Sequence, residues 1–238
     1  MIPWEGIPAG HARPKTFPEE RSGLKLHPYP DTLVGTRTTL SRNGDQYSMR
    51  ILDLGCGSGT PLTRWKLAPS DHVTAMDINA ESLARAKQKY PERRFLEGSG
   101  ENLPLDDQSF DKVICAISLP YMNIPKALRE INRVLIPSGE LLLSLHPPRF
   151  TLAELRNAFP RPKATTYRLF VLANGICFHF FGKAPGESFQ TERGMRIALR
   201  RSGFFPRLFH LEDGPAGERF IVEALKATAV RQVQARAA

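Results

Sequence analysis

The sequence predicts an α/β fold built on a mostly parallel sheet. From Arg50 onward, short apolar runs alternate with amphipathic stretches over about a hundred residues, the signature of repeated strand-helix units. The fourth run, Val113 to Ile117 after Lys112, is continuously apolar, as in a strand covered on both faces. The first run ends in a glycine cluster, Gly55-Cys56-Gly57-Ser58-Gly59, as a tight strand-to-helix turn requires.

Taken in order, Ile51 to Leu54 is a buried strand stopped by those glycines, with a helix expected through Leu62, Trp65 and Leu67. His72 to Met76 is a second strand ending at Asp77. Asn79 then caps a helix running through Ala80 to Lys87. Arg94 to Glu97 is the third strand and Lys112 to Ile117 the fourth. Lys126 to Leu135 puts Ala127, Leu128, Ile131, Val134 and Leu135 on one helical face. The turn Pro137-Ser138-Gly139 introduces a fifth strand, Leu141 to Leu145. Beyond Pro147-Pro148 the pattern breaks. Tyr167 to Ala173 and Ile176 to Phe181 flank Asn174-Gly175, the strongest short-range signal for a two-residue hairpin. That ribbon would be apolar on one face (Leu169, Val171, Ile176, Phe178, Phe180) and mixed on the other, and so suited to roofing a pocket. Glu192 to Ser202 reads as helix, and Pro206 to Leu211 and Arg219 to Leu225 as strands.

The 238 residues are 41% hydrophobic, enough for one principal domain. No stretch approaches the roughly 18 apolar residues of a membrane span, and the start lacks the n- and h-regions of a signal peptide, so a cytoplasmic protein is expected. Cys56, Cys115 and Cys177 are odd in number and lack Cys-x-x-Cys spacing, which argues for buried thiols rather than disulfides or a metal site. The formal charge is +9, but its distribution is uneven: residues 1–50 carry +2, 51–148 carry −1 and 149–238 carry +8. The basic excess therefore bears on whatever the last part contacts. Prolines 3, 8, 14, 18, 28 and 30 make the first segment an irregular arm, with Trp4, Ile7, Phe17 and Tyr29 able to pack over a site.

The glycine cluster lies where backbone amides and a helix start can meet a polar ligand. Its spacing is not the G-x-G-x-x-G of dinucleotide folds, because position 60 is Thr. Asp53, just before it, would repel a pyrophosphate. ILDLGCGSGT, residues 51–60, resembles the first motif of class I S-adenosylmethionine-dependent methyltransferases, in particular the subgroup of ubiquinone and menaquinone methyltransferase domains. Asp77 closing the second strand, GSGENLPLDDQSF at 98–110, ALREI at 127–131 and RVLIPSGE at 133–140 are similar to the family's further motifs in the same order. The resemblance covers roughly residues 50 to 146 and implies a Rossmann-like, seven-stranded, mostly parallel sheet with helices on both faces. The predicted hairpin would be inserted after the fifth strand.

The same resemblance implies S-adenosyl-L-methionine as cofactor, held by Asp53, Gly55, Cys56, Gly57, Gly59, Asp77, Ile78, Ser99, Gly100 and Glu101. Asp77 would receive the ribose hydroxyls and Ile78 would flank the adenine. Ser99 stands where the family often has Asp, so Glu101 or Asn102 is a second source for the adenine contact. No metal is implied. Candidate acceptor-side residues are His146, just past the fifth strand where ligands of open α/β sheets bind, and Tyr121 after the fourth; His179 is weaker. The expected activity is methyl transfer to a small, anionic or aromatic acceptor. A nucleic-acid methyltransferase is the rival enzyme reading: Ser118-Leu119-Pro120-Tyr121 partly matches the motif of amino-directed enzymes, and Arg193, Arg196, Arg200 and Arg201 share one predicted helix. A non-catalytic cofactor-binding module is the third. The expected organisation is an arm (1–49), a cofactor-binding core (50–148), an inserted hairpin or substrate lid (149–190) and C-terminal elements completing the same domain (191–238).

Overall fold

A computed structural model describes residues 48–59, 67, 70–212 and 219–227, all within one compact unit. The predicted arm and the helix through Leu62 and Trp65 lie outside the described residues. The strands are β1 (Arg50–Leu54), β2 (His72–Asp77), β3 (Arg94–Glu97), β4 (Phe110–Ala116), β5 (Leu135–Leu145), β6 (Phe204–Glu212) and β7 (Arg219–Lys226). They form one sheet in the order β3-β2-β1-β4-β5-β7-β6. β1 to β5 run parallel, and β7 enters antiparallel between β5 and β6. The fold class expected from the sequence is thus observed, with one antiparallel hairpin, β6-β7, at the end of the sheet.

The helices are α1 (Ala80–Lys89), α2 (Ile124–Val134), α3 (Pro148–Ala158), α4 (Pro162–Phe181) and α5 (Glu192–Arg201). Local chemistry sets their ends. The side chains of Asn79, Asn123 and Thr191 accept from the backbone N–H three residues on, at 2.9, 3.1 and 3.2 Å, and so cap α1, α2 and α5. Ile124, Ala127, Leu128, Ile131 and Val134 of α2 are buried at 4% exposure or less and join Leu52, Leu54, Val113, Leu141 and Leu143 of the sheet and Met195 and Leu199 of α5 in the larger core. Ile51, Val73, Ala75 and Ile114 pack with Leu83 of α1 in a second cluster, so alternate residues of β1 feed opposite faces.

The hairpin expected after the fifth strand is not formed. Tyr167 to Phe181 lies inside the 20-residue helix α4. Pro162 in its first turn and Gly182 in the left-handed conformation just beyond its end (φ 65°) are ordinary start and stop signals. The Asn-Gly pair misled because it serves packing rather than a turn. Gly175 is buried against Phe189, where an added Cβ would sit 2.1 Å from the ring, and the Asn174 side-chain amide donates to Glu187 O at 3.1 Å. With apolar residues on both its inner and outer faces, α4 shows almost no 3.6-residue period. The Pro137-Ser138-Gly139 turn is real but lies within β5, where the register with β4 shifts and Ser138 has φ 62°. Cys56 and Cys115 are buried, whereas Cys177 is only half-buried.

Candidate active site

The strand order reverses between β1 and β4, and the carboxyl ends of these strands and their neighbours carry every element of the site, as expected at a topological switch point. The glycine loop leaves β1 with Gly55 and Cys56 N–H both donating to Met76 O, at 2.7 and 3.1 Å. Gly55 has φ 76°, and a Cβ there would fall 2.2 Å from Ser118 Cβ. Only glycine lets the two strand ends approach so closely. The Gly57 N–H donates to Asp77 Oδ2 at 2.8 Å, and Asp77 Oδ1 accepts from Asn79 N at 2.9 Å, so the carboxylate at the end of β2 fixes the loop that follows β1.

Asp53 is fully buried, and neither of its carboxyl oxygens has a hydrogen-bond partner among the described residues. Burial pushes its pKa up to about 7; the nearby Asp77 carboxylate adds to this and Arg93 opposes it. An unpartnered buried carboxyl is costly unless a ligand completes it. With two carboxyl groups behind a glycine loop, the donor set fits a ligand bearing a cation and hydroxyl donors, and is unsuited to a pyrophosphate. Among the described residues, no group of three or more His, Cys, Asp or Glu is placed to hold a metal ion.

Next to Asp77, Ile78 is 72% exposed. Ser99 Oγ accepts from Glu101 N at 3.2 Å. Glu101 Oε1 in turn accepts from Asn123 N at 2.8 Å, tying it to the start of α2. Gly100 is buried against Met122, whose Sδ lies 2.7 Å from where a Cβ would be. The next stretch is clamped by Arg133, which donates to Leu103 O at 2.9 Å, Leu105 O at 2.8 Å and Asp107 at 2.6 Å, while Glu130 accepts from Leu103 N at 2.9 Å. Sequence reasoning assigned Glu130 and Arg133 to a motif without foreseeing this work.

Ile117, the residue after β4, has φ 65°, an outlier for a β-branched residue, and its N–H donates to Ser144 O at 2.6 Å. The turn it makes tucks Ser118 beneath Gly55 and brings out Tyr121, 58% exposed. Ser118 Oγ donates to Leu54 O at 2.8 Å and contacts Cys115 Sγ at 3.1 Å. It is therefore a strand tie, not a free acceptor for an amine, and burial holds the Cys115 thiol protonated, up to about 12. His146 is half-buried and stacked on Phe150 with centroids 3.9 Å apart. Burial and then the charges of Arg219 and Arg168 pull its pKa down to about 4, so the ring is neutral at pH 7.

The structure adds residues that the hairpin reading concealed. Tyr167 of α4 donates its phenol proton to Glu187 Oε2. Burial, Glu187 and the neighbouring Tyr121 all raise its pKa. Arg168 pairs with Glu154 at 2.8 Å and Glu187 at 3.7 Å. Tyr121, His146, Tyr167, Arg168 and Glu187 thus form one electrostatic neighbourhood. His179 lies apart, bonded to Thr191 Oγ1 at 3.0 Å beside the α5 cap. Three of the four α5 arginines make local contacts: Arg196 pairs with Glu192 at 2.6 Å and covers Phe209, Arg201 donates to Phe181 O at 2.9 Å and Arg193 lies over Phe180.

A sheet of this order with a glycine loop and paired acids at its switch point is a Rossmann-like α/β fold, and residues 52–143 match the family described as methyltransferase domain. The chain is 35% identical over 172 residues to a demethylmenaquinone methyltransferase of Chlorobaculum parvum, covering 67% of this chain and 69% of that protein. It belongs to the class I S-adenosylmethionine-dependent methyltransferases. It is also 37% identical over 120 residues to a malonyl-(acyl-carrier protein) O-methyltransferase of Pectobacterium atrosepticum, covering 49% of this chain and 46% of that one. The chain spans less than half the length of several curated relatives that it matches. Among solved structures, a SAM-dependent methyltransferase of Methanosarcina mazei shares the fold with a TM-score of 0.56 at 22% identity, covering 78% of this chain and 95% of that one.

Proposed function

We propose that the protein transfers a methyl group from S-adenosylmethionine to a small-molecule acceptor. The observation that carries this reading is the fully buried Asp53 carboxyl, unpartnered among the described residues, behind the Gly55 to Gly59 loop and beside Asp77. In this reading Asp53 takes the cofactor's amino group, Asp77 the ribose hydroxyls, Ile78 one face of the adenine and the Ser99 to Asn102 loop its edge. Glu101, whose Oε1 is engaged by Asn123 N, braces that loop. The cofactor supplies a methyl group on a sulfonium, already activated by a good leaving group. What the chain must add is alignment, with the acceptor atom held about 3 to 3.5 Å from the methyl carbon.

Tyr121, Phe150 and Tyr167 give the acceptor side aromatic walls, which support an aromatic acceptor, and the basic excess of residues 149–238 supports an anionic one. His146, neutral and a weak base at pH 7, fits hydrogen bonding to an acceptor that is already ionised better than removal of a tightly held proton. The region 149–190, now α3, α4 and the segment to α5, serves as the acceptor wall. The buried, committed Ser118 hydroxyl counts against the amino-directed nucleic-acid reading. A cytoplasmic location is part of the same proposal; among the described residues no helix is long and apolar enough to cross a membrane.

Calorimetric titration with S-adenosylmethionine tests the reading. Saturable one-to-one binding is expected, weakened at least about tenfold by Asp77→Ala through loss of charge-assisted hydrogen bonds. Absence of binding, or unchanged affinity in Asp77→Ala, overturns it.

A further inference from the structure

The outward face of α4 is apolar along most of its length. Leu169, Ile176 and Phe180 are 50 to 52% exposed and, with Ala173, fall on one stripe about 17 Å long at helical rise. Phe181 at the helix end and Phe159 in the turn before it are 56% and 75% exposed. The inward face (Val171, Asn174, Gly175 and Phe178) is buried, so the outer apolar residues are not needed for the core.

Charge frames this stripe at both ends. Arg156, Arg161 and Lys163 stand at the entry to α4, and Lys183 and Arg193 at its exit; all five are exposed. None is paired with a carboxylate among the described residues. Between Lys163 and Lys183 the only charged side chain is Arg168, which is turned inward to Glu154 and Glu187. The distribution discriminates between occupants. A second copy laid on the stripe, parallel or antiparallel, would set cationic ends against cationic ends. The chain's own first 50 residues carry a net +2 and bring no complementary charge. A surface that takes apolar side chains at shallow depth and presents negative charge around them satisfies both features, as for helices lying in a membrane interface.

We propose that the outer face of α4 is a docking surface for an anionic lipid bilayer, with Leu169, Ile176 and Phe180 inserted at headgroup depth and the flanking Arg and Lys residues on the lipid phosphates. The protein is then peripheral, resting on the membrane without crossing it. This assignment does not depend on the methyl-transfer reading.

Co-sedimentation of the full chain with vesicles tests it. The wild type is expected to pellet with phosphatidylcholine vesicles containing phosphatidylglycerol, and to partition at least about tenfold less onto pure phosphatidylcholine or at high salt. Ile176→Glu with Phe180→Glu alters only exposed side chains, so thermal unfolding should be little changed while partitioning falls at least about tenfold. Lys163→Glu with Lys183→Glu should abolish the preference for anionic lipid. The proposal is overturned if the wild type stays in the supernatant with anionic vesicles, or if the Ile176/Phe180 double variant binds them as well as wild type. It is equally overturned if light scattering shows a dimer that the double variant dissociates, which would give the face to a second copy.

Discussion

Asp53→Asn separates stability from cofactor affinity. In the folded chain the Asp53 carboxyl is raised from 3.8 to about 7, chiefly by burial. The native state therefore holds a proton that the unfolded chain releases between pH 4 and 7, and stability from this group is lost as pH rises through that window. Three pH units at about 1.4 kcal/mol each set the scale at about 4 kcal/mol, an upper figure because buried groups relax when ionised. Asn is the neutral isostere and carries no such dependence. The stability difference between variant and wild type should be near zero at pH 4 and reach about 2 to 4 kcal/mol in favour of the variant by pH 8. Urea unfolding followed by circular dichroism across pH reads this directly. Affinity should move the other way, because the cofactor's ammonium loses its counter-charge. A variant less stable than wild type at pH 8, or a difference flat with pH, refutes the account of an unpartnered carboxyl awaiting a ligand.

Gly175→Ala should destabilise the protein by about 1 to 3 kcal/mol in chemical denaturation, because the added methyl meets the Phe189 ring inside a packed core, despite Ala's better helix propensity; no loss would mean Phe189 does not seat there. Arg133→Ala removes the clamp on residues 103–107 and should cost about 1 to 3 kcal/mol in the same assay, with weaker cofactor binding as the adenine-side loop loosens. His146, pulled down to about 4, should show its NMR titration midpoint well below the usual histidine range. Protonation then opposes folding, so its contribution to stability is lost as pH falls from about 6.5 towards 4, and a midpoint near 6.5 would contradict the burial assigned to it.

The parallel sheet was legible because its elements obey strong local rules: short apolar runs at Ile51 to Leu54 and Val113 to Ala116, glycines at the β1 turn and the Asn79 cap on α1. The cofactor side followed because its chemistry sits in contiguous motifs. The acceptor side was concealed for a physical reason. α4 buries one face in the protein and exposes another apolar face, so its hydrophobic period vanishes, and Asn174-Gly175 imitates a turn while serving a helix contact with Phe189. Pro162 and Gly182, twenty residues apart, were the signals that would have restored the helix. Tyr167, Arg168 and Glu187 come together only through the α4 return, and the burial of Ser118 depends on the left-handed turn at Ile117, which no sequence pattern announces.

Calorimetric titration of S-adenosylmethionine at pH 6, in buffers of different ionisation enthalpy, tests most directly whether Asp53 is the point at which a cationic cofactor completes the site. One cofactor should bind per chain with release of close to one proton, as a mostly neutral Asp53 becomes a carboxylate against the bound ammonium. The release should disappear in Asp53→Asn. Binding with no proton release, or no binding at all, would contradict the assignment.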